Sequence, residues 1–229
     1  MKSVGIIGGL GPETTAEFYL DISFSCQRAN KTARPSIVIA SVPLPYQIEE
    51  DSMLFNKGIE RCLPFLITEA QRLERSGVDF VVMPCNSLHV FVEQIRKAIR
   101  IPMLSIVEET AVFVKENNFK RIGLVSTSAT LRNRVYEEAF NASGIAFEEP
   151  NDFQQEKMGK IIHNLVMGQK NNRDRETLLE IIGDFEDKDV DAVALACTDL
   201  QLLIPKHPTL KIFDTMKILA EATVRTILS

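Results

Sequence analysis

The chain has 229 residues, 45% hydrophobic and 25% charged, with 26 Lys and Arg against 31 Asp and Glu for a net charge of −5. That length suits one large or two small globular domains, and the acidic balance argues against a nucleic-acid partner, whose phosphates need a basic surface. No stretch approaches the roughly 20 apolar residues of a membrane span, three histidines leave little for a histidine-based metal site, and four cysteines without CxxC or framework spacing fit a reducing cytoplasm.

Residues 4–8 read as a strand, and Gly8-Gly9-Leu10-Gly11-Pro12 as the turn after it. This opening is broken by glycine and too short for the apolar region of a signal peptide. Thr14 or Thr15 is expected to cap a helix with Phe18, Tyr19 and Ile22 as its apolar stripe. Glycine amides beside a helix N-terminus form an anion seat, and here a carboxylate seat and a plain tight turn both stay open. A dinucleotide is disfavoured, because the GxGxxG spacing and the ribose-binding acid are missing. Residues 36–40 form the second strand, broken by Pro43 and Pro45. Residues 46–56 read as an acidic irregular loop, either a lid over a pocket or a plain connection. Residues 59–76 read as an amphipathic helix with Pro64 near its first turn and Gly77 as its C-cap. Cys62 on it, like Cys26 before it, reads as buried apolar filler.

The run Asp79-Phe80-Val81-Val82-Met83-Pro84-Cys85 follows. A continuous apolar segment of this kind is a buried parallel strand. Cys85 therefore falls at its carboxyl end, where open α/β sheets place ligand crevices. Residues 88–100 are expected as a helix, 101–105 as a short strand and 108–116 as a helix. Residues 120–125 then repeat the pattern of residues 2–7, with Ser126-Thr127-Ser128-Ala129-Thr130 in place of the glycine turn. Its hydroxyls and amides can also hold a carboxylate. A helix over 131–142, a strand over 145–147 and helices over 151–168 and 177–185 come next. Between the last two lies a linker with Lys170, Arg173 and Arg175, the densest cationic patch outside plain helix faces. Val190-Asp191 opens a second apolar run ending in Cys197-Thr198-Asp199, as Val78-Asp79 opens the first. A turn over 200–204 ended by Pro205, a strand over 210–214 and a helix over 217–228 complete the chain, the last closing back onto the first half.

These recurring landmarks identify two related halves. The expected fold is α/β, with two similar domains, each a parallel sheet flanked by helices, related by a pseudo-twofold with the site between them. The domains are 1–105 with 216–229, and 106–215. A thiol at a strand-to-helix turn lies beside a helix N-terminus, whose roughly +0.5 charge favours the thiolate. Asp199 pushes Cys197 the other way. An acid and a base on opposite faces of a carbon can remove a proton from one side and return it on the other, without a redox cofactor. The competing reading is a pair of buried strand-end cysteines. His89 is either a site residue or, favoured on these grounds, a solvent-facing helix residue, while His163 and His207 read as surface. Glu13 and Asp199 are capping acids unless the cleft includes them.

Met83-Pro84-Cys85-Asn86-Ser87-Leu88-His89 resembles the first catalytic motif of the aspartate/glutamate racemase family, the cofactor-independent two-cysteine amino-acid racemases. Ala196-Cys197-Thr198-Asp199 is similar to the second, and Gly8-Gly9-Leu10-Gly11-Pro12 and the Thr127–Thr130 turn to the family's glycine and threonine turns. The likeness runs from Val4 to about Val224. It implies catalysis by Cys85 and Cys197, and substrate binding by Gly9, Leu10, Gly11, Asn86, Ser87, Thr127, Thr130, Lys170 and Thr198. His89 and Asp199 have supporting roles in that picture. It further implies no pyridoxal phosphate or other cofactor, no metal, a small amino-acid substrate and a cytoplasmic homodimer. Ser87 stands where threonine is usual, Asp199 where glutamate is, and Glu49-Glu50-Asp51 where aspartate racemases often carry an arginine. Lys170, or else Arg173 or Arg175, would then grip a side-chain carboxylate. The expected reaction is racemisation of aspartate, with glutamate as a further substrate. Alternatives are a broader amino-acid racemase, a dicarboxylate cis–trans isomerase, a hydantoin racemase and a silent amino-acid-binding module. A decarboxylase relative would use one cysteine, so the pair argues against it.

Overall fold

The computed structural model describes residues 1–53, 57–203 and 206–229. Alternation of apolar runs with amphipathic segments gives β1 (Val4–Gly8), α1 (Pro12–Ala29), β2 (Ile37–Ser41), α2 (Tyr46–Met53), α3 (Leu63–Arg75), β3 (Phe80–Val82), α4 (Val92–Ala98) and α5 (Ile106–Glu116). There follow β4 (Arg121–Ser126), α6 (Ser128–Arg132), α7 (Glu137–Ser143), β5 (Ala146–Glu148), α8 (Asp152–Val166), α9 (Asn172–Gly183), β6 (Ala192–Ala196), β7 (Lys211–Asp214) and α10 (Thr215–Leu228). Two parallel sheets result, ordered β2-β1-β3 and β5-β4-β6-β7. The first three strands of each half thus take the same order, with β1 and β4 in the middle. Parallel strands need covering helices on both faces, and every residue of β1, β3 and β6 is buried.

The repeated Val-Asp pairs have a mechanical role. Asp79 accepts hydrogen bonds from the Ser3 amide at 2.6 Å and its hydroxyl at 2.7 Å, tying the start of β3 to the start of β1. Asp191 does the same for β6 and β4, accepting from the amides of Lys120 at 2.6 Å and Arg121 at 3.0 Å. One buried cluster joins the facing sides of both sheets, from Ile6 and Val82 to Leu124 and Ala194, with α1, α5 and α10 contributing Phe18, Ile106 and Leu219. The last helix packs on α1 and α5, and the Lys2 amide donates to the Ile227 carbonyl at 2.8 Å. Separate outer clusters hold α3 and α4 against the first sheet, and α8 and α9 against the second.

Several expected boundaries change. Residues 46–53 form helix α2 instead of a loop: the Pro45 carbonyl accepts the Ile48 and Glu49 amides, and Gln47 pairs with Asp51 one turn on. Residues 54–56 of that expected loop lie outside the described residues. Gly11, not a threonine, stands at the N-cap of α1 with φ 95°, while Thr15 accepts the Gly9 amide and donates to the Gly11 carbonyl. The helix expected over 131–142 is split into α6 and α7, because Arg134 takes a left-handed conformation at φ 52°. The 88–100 helix opens with a 3₁₀ turn, Ser87–Phe91, before α4. Residues 101–105 make only a single bridge, Met103 to Val81; Pro102 has no N–H to give, and the Arg96 guanidinium occupies the Met103 carbonyl. The cationic linker is shorter than expected, since Asn171 caps α9 and places Arg173 and Arg175 in its opening turns. Ile204 and Pro205, at the end of the turn after Cys197, lie outside the described residues.

Candidate active site

The two cysteines end corresponding strands and are held in the same way. After β3, Met83 and Pro84 lead to Cys85, whose sulfur receives the backbone N–H groups of Leu88 and Ser87 at the start of the 3₁₀ turn. After β6, the Cys197 sulfur receives those of Asp199 and Leu200, ahead of the 3₁₀ turn Leu200–Leu203. Both thiols are buried, at 6% and 5% exposure. Burial, with the Asp199 charge, pushes the Cys85 thiol up to about 12 against the opposing N–H donors. Burial and then Asp199 hold Cys197 well above the ordinary thiol value, and Cys85 itself adds to the effect. The influence of Cys85 on Cys197 puts the two strand ends within electrostatic reach of one another. Both shifts favour the protonated thiol over the thiolate.

The Asp199 side chain turns toward Thr14 and the Cys197 sulfur instead of capping the turn that follows. Its Oδ2 lies 3.9 Å from the Cys197 sulfur, and its Oδ1 accepts the Thr14 hydroxyl at 2.7 Å. Burial raises its carboxyl, and the nearby Glu13 adds to the rise. The glycine turn runs against this group: a Cβ built on Gly11 would stand 3.2 Å from Asp199 Oδ1, and one on Gly9 would stand 2.5 Å from the Ser41 hydroxyl. Only glycine fits both positions, since their φ values are 95° and 79°. The Gly9 amide is already bound by Thr15, and Leu10 between the glycines is buried.

Hydroxyls from both halves meet beside Cys85. Ser87 Oγ lies 2.8 Å from Thr127 Oγ1 and 3.1 Å from Thr130 Oγ1. Thr127 also caps α6, accepting the Thr130 amide at 3.0 Å. Asn86 turns into the core, where its Nδ2 donates to Thr215 at 3.1 Å and its Oδ1 accepts the Tyr136 hydroxyl at 2.5 Å. Thr198 is buried between Cys197 and Asp199.

His89 does not face solvent; it is 3% exposed. Its Nδ1 donates to the Cys85 carbonyl at 2.6 Å, and its Nε2 accepts the Ile106 amide at 3.0 Å. Burial lowers its pKa to about 4, so the ring is neutral and pins the Cys85 turn to the first residue of α5. Its sequence signal was its spacing of one helical turn from Cys85.

Lys170, exposed between α8 and α9 in the second half, reaches across to Glu13 on α1 of the first, with Nζ 2.5 Å from Glu13 Oε1. Arg173 lines a groove between α8 and α9, and Arg175 is exposed. Neither is brought to the thiols. Glu49, noted in the sequence where aspartate racemases often carry an arginine but read there as part of a loop, sits half-buried on α2, close enough to Asp199 for that charge to help raise its own carboxyl after burial. Sequence reasoning missed Tyr136 and Thr215, whose partner Asn86 is 50 and 129 residues away. Among the described residues no group of three or more His, Cys, Asp or Glu side chains is arranged to hold a metal ion, and no helix is long and apolar enough to cross a membrane.

The model of the Asp/Glu/hydantoin racemase family matches residues 7–223. The chain is 29% identical to the broad specificity amino-acid racemase RacX of Bacillus subtilis, over 99% of this chain and 98% of that protein. Among solved structures, an aspartate racemase homologue from Pyrococcus horikoshii superposes with a TM-score of 0.80 at 25% identity, covering 100% of both chains. Picrophilus torridus aspartate racemase gives the same TM-score, 0.80 at 25% identity, over 99% of this chain and 94% of that one.

Proposed function

This chain belongs to the Asp/Glu/hydantoin racemase family, and on that premise we propose that it interconverts the L and D forms of an amino acid by proton transfer between Cys85 and Cys197. It is an isomerase of the racemase type, and its family works without pyridoxal phosphate. The observation that carries the two-base reading is the matched pair of buried thiols, each at a strand's carboxyl end, each receiving two backbone N–H groups, each felt by the same Asp199.

In the proposed reaction one sulfur, as thiolate, takes the α-proton while the Cα–H electron pair stays on carbon, delocalised into the α-carboxylate. The opposite thiol then delivers its proton to the other face. One S–H forms and one breaks, so nothing is oxidised or reduced. The Ser87, Thr127 and Thr130 hydroxyls, with the glycine turn, supply donors for the carboxylate where charge develops. The α-ammonium is placed beside Asp199. There it cancels the charge that helps hold both thiols up, so that ionisation becomes easier once substrate is bound.

Of the two substrate readings, acidic or broader, the broader has more support. The cation available for a side-chain carboxylate, Lys170, is already paired with Glu13, whereas Glu49 and Asp199 put negative charge on the cleft. The same proposal takes 1–105 with 216–229 and 106–215 as two domains related by an approximate twofold, with the reaction between them. It also takes the enzyme as a cytoplasmic homodimer, which sedimentation of the purified protein tests.

The deciding experiment follows the circular-dichroism signal of each enantiomer over a panel of amino acids, with maleate and hydantoins as controls, and α-proton exchange in D₂O. Racemisation of amino acids with loss of α-hydrogen is expected. Turnover of maleate or hydantoins alone would replace this reading with one of the sister reactions.

A further inference from the structure

We propose that Glu49 selects the substrate's side chain, favouring amino acids that end in a cation, such as lysine, ornithine and arginine. This rests on the racemase reading above and names the substrate class of that same site.

Three observations converge on it. The first is position. Helix α2 follows β2 at the carboxyl edge of the first sheet and packs against α6 of the second half. Its Glu49 therefore lies on a helix that spans from the first sheet to the second half, within electrostatic reach of Asp199 beside Cys197. The Asp199 charge reaches Glu49 directly.

The second is the lack of a counter-charge. Glu13 has Lys170 at 2.5 Å, and Asp51 has Arg61 at 2.7 Å and Gln47 at 3.0 Å. Glu50 beside it is exposed to water. Glu49 is half-buried, and among the described residues no cation or hydrogen-bond donor meets its carboxylate. A carboxylate withdrawn from water without a partner is unfavourable, and an incoming ammonium or guanidinium relieves that cost.

The third is elimination within the cleft. The hydroxyl cluster suits the α-carboxylate, and Asp199 beside Cys197 suits the α-ammonium. Glu49, on the opposite half, is the charged wall left for the side chain. A side-chain carboxylate there would face two like charges, which is selection by repulsion as well as attraction.

The test measures kcat/KM of the full-length enzyme for L-lysine, L-methionine and L-aspartate by α-proton exchange in D₂O, in the natural protein and in Glu49→Gln and Glu49→Lys. Lysine is expected to exceed methionine, and aspartate to be poorest. Glu49→Gln should lower the lysine-to-methionine ratio about 10- to 100-fold, the range of one charge-assisted hydrogen bond, and Glu49→Lys should raise aspartate above lysine. Because ratios are read, partial loss of folded enzyme does not imitate the effect. An equal fall for all three substrates in Glu49→Gln would show that Glu49 holds the ammonium they share, and would overturn the selector role. So would a natural enzyme that prefers aspartate or methionine to lysine. Absence of α-proton exchange from every amino acid would overturn the racemase reading itself, and the selector with it.

Discussion

Thr14 donates a hydrogen bond to Asp199 at 2.7 Å, joining the first turn of α1 to the residue whose other oxygen lies 3.9 Å from the Cys197 sulfur. The bond spans 185 residues of sequence and fixes a negative charge between the two halves. That charge raises both thiols, behind burial in each case. Replacing Asp199 by Asn removes it while keeping an acceptor for Thr14. Both thiol pKa values should fall, so that more thiolate is present at any given pH. Alkylation of Cys85 and Cys197 by iodoacetamide, followed site by site with mass spectrometry, should then show its pH midpoint at a lower pH in Asp199→Asn. A midpoint moved upward would mean that Asp199 is not the charge the thiols feel.

Lys170 tests whether the substrate's side chain is gripped by a cation. Its bond to Glu13 is solvent-exposed on both sides, at 41% and 47%, and exposed ion pairs contribute about 0–1 kcal/mol. With a broad or cationic substrate preference, Lys170→Ala should change KM for neutral amino acids by no more than about threefold. A rise of one to two orders of magnitude in KM for aspartate would instead restore the acidic reading, since one charge-assisted hydrogen bond to substrate is worth about 1.5–3 kcal/mol.

Much of this architecture is readable from the residues because it is local. The apolar runs ending in Cys85 and Cys197, the two Val-Asp openings and the glycine turn each combine a period with a boundary, and each lies where such patterns put it. Irregular segments are less readable. Nothing in the string Tyr46-Gln47-Ile48-Glu49 says that the Pro45 carbonyl will nucleate a helix, so the residue that feels the Asp199 charge reads as part of a loop. His89 shows the same limit from the other side: its burial depends on the Ile106 amide, 17 positions on. The Tyr136–Asn86–Thr215 group is wholly tertiary. Deleting the Tyr136 hydroxyl should leave Asn86 Oδ1 only the longer contact from the Thr215 hydroxyl at 3.3 Å, at a cost of about 0.5–1.5 kcal/mol that no local motif announces.

The Val-Asp pairs give a pH signature. The Asp79 carboxyl lies below its ordinary value because the ionised form accepts the Ser3 amide and hydroxyl. Asp191 is lowered by the amides of Arg121 and Lys120. A carboxyl lowered by folding stabilises the native state above its unfolded pKa and loses that contribution as pH falls through its folded pKa. Asp79→Asn should therefore melt at a lower temperature than the natural protein at pH 7, and the gap should narrow at pH 3. Asp191→Asn should behave alike. A gap of constant size at both pH values would assign these residues a role that does not depend on charge.

The two-base mechanism makes the most demanding prediction. If the thiols stand on opposite faces of the α-carbon, each abstracts a proton from one enantiomer and returns it to the other. Cys85→Ser removes the base for one hand and the acid for its mirror image, and Cys197→Ser does the reverse. Racemisation needs both roles in every turnover, so either variant should lose nearly all of it. Abstraction by the surviving thiol is a half-reaction that can still proceed. An amino acid carrying a leaving group on its β-carbon reports it, because the carbanion expels that group before any proton is returned. Each variant should then catalyse elimination from one enantiomer, and the two should choose opposite hands. Alkylating Cys26 or Cys62, both fully buried in apolar clusters, should act only through packing and show no preference for either hand. If both serine variants ate into the same enantiomer, or both went on racemising, a single base or a covalent sulfur adduct would have to replace the paired thiols.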